Sequence, residues 1–99
     1  MIFHLLARQD WHAATAAAPV ATPGEDGYVH CCDEGQIAGA PQRYFPLDAE
    51  IVTVAFDPTR LPAKTRDEPG AGGEPGRFLH VYGPLPRDQV AFVRAVRGR

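Results

Sequence analysis

Apolar and polar residues alternate at the start of the chain. Ile2, His4 and Leu6 fall on one side of an extended segment and Phe3 and Leu5 on the other, which predicts a first strand over residues 2–6. The period then changes. In the Ala-rich residues 9–18, Trp11, Ala14, Thr15 and Ala18 are spaced as one helical face carrying the only tryptophan, with His12 off that face. Pro19, Pro23, Gly24 and Gly27 mark a loop, after which residues 28–32 read as a second short strand. Asp33 opens a short helix expected to run through Ile37 and Ala40, where Pro41 removes a donor and ends it before Arg43, Tyr44 and Phe45. Residues 51–56 are a continuous apolar, β-branched run, the pattern of a central strand, closed by Asp57 and Pro58. Residues 57–77 carry Pro58, Pro62, Pro69, Pro75 and a glycine-rich run, too poor in apolar side chains for an element with its own core. They predict a long flexible loop and a candidate lid. Further strands are expected at 78–82 and 90–96, joined through Gly83, Pro84, Leu85 and Pro86 and one helical turn. Strands interleaved with one or two short helices predict an α+β fold, a single domain over residues 1–99.

A chain of 99 residues has room for one core, and its 44% hydrophobic and 22% charged content is that of a globular domain. The net charge of -2 argues against a protein that holds DNA by counterion release. Charge is unevenly placed: residues 1–50 set Arg8 and Arg43 against seven acids, whereas residues 51–99 set eight bases against five. An anionic ligand is therefore expected to face the second half. Nine of the ten bases are arginine, which suits bidentate contacts to carboxylate or phosphate. No basic leader and no apolar run long enough for secretion or membrane spanning is visible, so a cytoplasmic monomer without membrane contacts is expected. Cys31 and Cys32 are adjacent and point to opposite faces of a strand, which excludes a disulfide framework and reads as reduced core thiols.

Three of the four histidines sit in the middle of predicted strands. His4 is flanked two residues away by Ile2 and Leu6, His30 by Tyr28 and Cys32, and His80 by Phe78 and Tyr82. If those strands are neighbours, three imidazoles converge in one cleft. Three histidines suit zinc, yet the tight HxH or HExxH spacings are missing, so no metal is expected and a three-histidine site stands as an alternative. Without metal, imidazoles near neutral pH act as acids, bases or hydrogen-bond donors and need an acidic or anionic companion. Glu68 and Glu74, flanking the glycine run, are the candidates, with Arg43, Arg66 and Arg77 as anion contacts. Glu74 stands four residues before Phe78, within reach of a cleft built around His80. The glycine run lacks the Gly-Lys-Ser/Thr end of a P-loop, and no Gly-x-Ser-x-Gly elbow occurs.

The segments Ile2-Phe3-His4-Leu5, Asp10-Trp11, Gly27-Tyr28-Val29-His30-Cys31, Arg43-Tyr44-Phe45 and Leu79-His80-Val81-Tyr82-Gly83-Pro84-Leu85 together resemble the uncharacterised bacterial family catalogued as domain of unknown function 952. The resemblance runs in order along nearly the whole chain. That family is similar to the ADP-ribosyltransferase-like fold, which implies two small sheets around a cleft that binds NAD or a related nucleotide. The resemblance places His4 against the nicotinamide-side ribose and Tyr28 or His30 against nicotinamide. A glutamate of the third motif, which stabilises the oxocarbenium-like transition state, has no counterpart within residues 78–82. Glu74 or His80 is left in its place, closer to glutamate-free variants such as RNA 2'-phosphotransferases. Cys32, where the family usually has a serine, and Pro41 are smaller departures.

These readings give a candidate set with His4, His80 and Glu74 catalytic and His4, Tyr28, His30, Arg43 and Tyr82 binding the nucleotide. The implied reaction is ribosyl or phosphoryl transfer from a small nucleotide-like ligand, with a protein or RNA acceptor unknown. The alternative in another class is a noncatalytic nucleotide- or protein-binding module.

Overall fold

The apolar run Ile51–Phe56 (β3) has no exposed residue because it is the middle strand of its sheet. In the computed structural model, which describes residues 1–15, 17–39, 45, 46, 48–70 and 76–97, β3 pairs antiparallel with Ile2–Ala7 (β1) on one side and Val90–Arg97 (β6) on the other. A second antiparallel sheet sets Arg77–Val81 (β5) between Val29–Cys31 (β2) and Thr65–Pro69 (β4). The two sheets are tied where Phe3 and Cys32 exchange backbone hydrogen bonds of 2.9 and 2.8 Å. The result is a small α+β domain, as the alternation of the chain predicts, built of two short sheets.

The main core lies between the sheets. Ile2 and Leu6 of β1, Val52, Val54 and Phe56 of β3, Val29 and Cys31 of β2 and Val81 of β5 meet there with Val20, Leu61 and Leu85. Strand alternation sends Phe3, Ala55 and Cys32 to a second, smaller cluster with Leu5 and Ile37. Cys31 and Cys32 thus occupy different clusters, both buried and reduced. Burial pushes both thiols up, that of Cys32 to about 11, so neither supplies a thiolate at neutral pH.

Three expectations are corrected. The helix expected over residues 9–18 is a short one, Arg8–Ala13 (α1), and the Trp11–Ala18 face is never built. Ala14 turns extended, and the Thr15 hydroxyl accepts from the backbone N–H of Ala17 and Ala18, giving this segment a local alternative to helix. Trp11 still anchors α1, packing on the core with the Arg87 guanidinium 3.5 Å from its ring centroid. The helix expected from Asp33 to Ala40 is a single 3-10 turn, Glu34–Gln36, closed by a reciprocal cap between Asp33 and Gln36. Ala40, Pro41, Arg43 and Tyr44 lie outside the described residues.

Most consequentially, residues 57–77 are not one long loop. They hold a 3-10 turn, Pro58–Arg60, and then β4, which pairs along its full length with β5. The glycine-rich run is the connection of this hairpin: the Gly70 N–H meets the Gly76 carbonyl at 3.3 Å, and Gly76 takes φ +93°, open to glycine without strain. Residues 71–75, including Glu74, lie outside the described residues.

Thr53 is fully buried in β3, and its hydroxyl has no hydrogen-bond partner among the described residues. Replacing it by valine removes an unsatisfied buried polar group at nearly constant shape. Thr53→Val is expected to stabilise the fold by about 1 kcal/mol, read as a higher urea midpoint at unchanged slope; a lower midpoint would show that the hydroxyl is satisfied.

Candidate functional site

In an antiparallel sheet, residues directly opposite one another project from the same face. The register sets His30 of β2 opposite His80 of β5, and His80 opposite Arg66 of β4. Val29, Cys31 and Val81 turn to the core. The other face of the sheet therefore collects His30, Phe78, His80, Arg66 and Glu68, with Tyr28 and Tyr82 at the strand ends. A sheet that is apolar on one face and carries imidazoles, phenols, a carboxylate and a guanidinium on the other is the framework of a site.

At its centre His80 is only 2% exposed. Its ring stacks on Tyr28, with centroids 3.8 Å apart and planes within 14°, and lies 5.4 Å from the His30 ring. Its Nδ1 is 2.8 Å from Glu68 Oε1. The Tyr82 hydroxyl donates to the same oxygen. An ionised carboxylate only accepts, so the proton of this bond sits on His80 Nδ1. These two hydrogen bonds, Tyr82 first and His80 second, hold the Glu68 carboxyl below its ordinary value, and the Arg66 charge adds to the effect. Tyr82 responds in the opposite sense: donating to a carboxylate raises its phenol above its usual value.

Two atoms are left over. Glu68 Oε2 carries no hydrogen bond or ion pair among the described residues and belongs to a side chain 28% exposed. His80 Nε2 is buried and without a hydrogen-bond partner among them. The site thus presents a carboxylate oxygen outward, while the imidazole that holds it stays inside.

Of the residues proposed from the sequence, Tyr28, His30, His80 and Tyr82 come together on this face. His4 joins from the other sheet: its Nδ1 lies 2.9 Å from the His30 carbonyl oxygen, and burial holds its pKa below the ordinary histidine value. Arg43 and Glu74 lie outside the described residues. Glu68, one of the two acids expected as companion to the imidazoles but placed in a loop, stands on β4 and is bonded to His80. Arg77 is turned to Asp67, which it meets at 3.2 Å. The alternative of a three-histidine metal site is not formed: among the described residues no group of three His, Cys, Asp or Glu side chains is placed to hold an ion.

Two three-stranded antiparallel sheets with a short helix, and a histidine–carboxylate–tyrosine cluster on the outer face of one of them, define a small α+β domain with a built polar site. The chain belongs to the family described as "Protein of unknown function (DUF952)", which it matches over residues 5–93. It is similar to protein CC0527 from Caulobacter crescentus, known from an X-ray crystal structure, at 26% identity over 95% of this chain and 83% of that one, with a TM-score of 0.76. A doubly substituted variant of that protein superimposes equally, at a TM-score of 0.75 and the same identity. No curated protein matches the chain. No described helix is long and apolar enough to cross a membrane.

Because the Glu68 pKa is lowered on folding, its contribution to stability is fully present above the ordinary carboxylate value and disappears as pH falls through the lowered one. Removing the first of these donors relieves part of the shift. In Tyr82→Phe, the carboxyl carbon of Glu68, followed by NMR, is expected to titrate at higher pH than in the parent protein, and an unchanged midpoint would break the link between the two side chains.

Proposed function

We propose that the Tyr28–Glu68–His80–Tyr82 face binds NAD or a related nucleotide, with Glu68 as the residue that meets the ribose. The observation that carries this reading is the Glu68 carboxylate itself. One oxygen is clamped by a buried imidazole and a phenol, the other is free among the described residues, and the group is held ionised. A fixed anion of this kind accepts from a ribose hydroxyl and stabilises positive charge that develops at the adjacent anomeric carbon when the bond to the base breaks. His80 is a positioning residue for Glu68. The Tyr82 ring, 39% exposed and 5.5 Å from Tyr28, provides aromatic surface for the base. His4 keeps β2 in place through the His30 carbonyl, which leaves Nε2 as its nitrogen for a ligand.

This reading also supplies the carboxylate that residues 78–82 lack. The ADP-ribosyltransferase-like resemblance asks for a glutamate in the third motif, and Glu68 reaches the same neighbourhood from the strand beside it. Ribosyl transfer is the reaction in keeping with this arrangement. A second reading, binding without turnover, draws on the burial of His80 Nε2, which keeps the imidazole from exchanging protons with a ligand in this conformation.

Addition of NAD, ADP-ribose and nicotinamide to isotope-labelled protein is expected to shift the amides of Tyr28, Arg66, Glu68, His80 and Tyr82 saturably with NAD. Glu68→Gln loses a hydrogen bond to a charged acceptor and should weaken NAD by about tenfold or more. Unchanged affinity in both Glu68→Gln and Tyr28→Ala would remove this face as the binding site. Slow NAD consumption abolished by Glu68→Gln separates turnover from binding alone.

A further inference from the structure

We infer that Arg66, with Lys64 beside it, reads a phosphate group on the ligand, so that the site takes nucleotides in preference to nucleosides. The inference rests on the nucleotide reading above and adds its charged end. Arg66 lies opposite His80 in the register and places its guanidinium carbon 5.4 Å from the Tyr82 ring centroid. One step along the same edge, the Tyr82 N–H donates to the Lys64 carbonyl at 2.9 Å, which brings Lys64 level with Tyr82. Both side chains are exposed, and both belong to the edge of the sheet that carries the site.

Four other arginines of the described residues are engaged. Arg8 pairs with Glu50, Arg77 with Asp67 and Arg94 with Glu34, while Arg87 lies over Trp11. Arg66 has no carboxylate within ion-pair distance among the described residues, although it is close enough to Glu68 to lower that carboxyl further. A guanidinium held over an aromatic ring, with its hydrogen-bond donors uncommitted, suits the oxygens of a phosphate, which it meets two at a time. A nucleoside, which lacks that group, gives the same cation nothing to bind. The arrangement therefore discriminates by phosphate. It also gives the ligand a direction: base toward the tyrosines, ribose at Glu68, phosphate toward the β4 edge.

Nicotinamide mononucleotide and nicotinamide riboside differ only in the phosphate and make the test. By amide shifts at low salt, the mononucleotide is expected to bind at least about tenfold more tightly than the riboside, the range of a charge-assisted hydrogen bond. In Arg66→Gln the ratio should fall most of the way toward one, with Lys64 holding the remainder, and Arg66→Lys, which keeps the charge, should retain more of it. Backbone spectra of the variants verify that the fold persists. Equal affinities for the two ligands in the parent protein would overturn the phosphate inference and leave the nucleotide reading standing. Binding of neither would overturn the inference, and NAD also failing to shift these amides would overturn both. Inorganic phosphate alone matching the mononucleotide, with the same Arg66 dependence, would make this a free-anion site and overturn the inference as well.

Discussion

A surface carboxylate is ordinarily a mobile, fully hydrated acceptor, and it becomes a precise one only when its rotamers are frozen by donors that cannot move. Here the constraint is the hydrogen bond from buried His80 to Glu68. The imidazole is fixed by the β5 backbone below it and by Tyr28 stacked on its ring. Tyr82, two residues further along, brings a second donor to the same oxygen. With both donors on Oε1, the charge and lone pairs of Oε2 have one direction in which to act. Arg66, the aromatic rings and the strand edge take their meaning from that direction.

The fold supplies this geometry economically. β5 is the central strand of its sheet, so its backbone hydrogen bonds are made on both sides and its side chains alternate strictly between core and site. Val81 fixes the depth of the strand in the core, and His80 and Tyr82 on either side of it inherit that position on the opposite face. The hairpin through Gly76 sets the register that brings β4 alongside. β2 completes the sheet, and the Phe3–Cys32 bridge and His4–His30 contact fasten it to the first sheet. At Gly83, immediately after Tyr82, an added Cβ would lie 2.5 Å from the Ala63 Cβ, so the chain entering β4 and the chain leaving β5 approach too closely there for any larger residue.

Legibility in the sequence follows burial. β1, β2, β3, β5 and β6 are readable because at least one of their faces is apolar, and β3, buried on both, appears as an unbroken β-branched run. The opposite faces of Cys31 and Cys32 follow from the strand period alone. β4 is illegible for the same reason: Thr65–Pro69 is an edge strand with no core face, its residues are polar or proline, and nothing in their hydropathy distinguishes them from a loop. The acid of the site is therefore legible as a candidate beside Glu74, while the strand that aims it at His80 is not. A glycine-rich run followed by a clear strand is the pattern that closes a hairpin and is the available clue. The Ala-rich helix failed in the other direction, because alanine content favours helix while Thr15 offers the backbone competing bonds.

Glu68 fixes the His80 proton on Nδ1, and Nε2 has no hydrogen-bond partner among the described residues. Nitrogen-15 and proton NMR of labelled histidine reads this directly, since the two ring nitrogens differ in shift according to which carries hydrogen. In its neutral form His80 is expected to be protonated on Nδ1, and Glu68→Gln to disturb this preference. A neutral ring carrying its proton on Nε2, unaffected by the substitution, would contradict it.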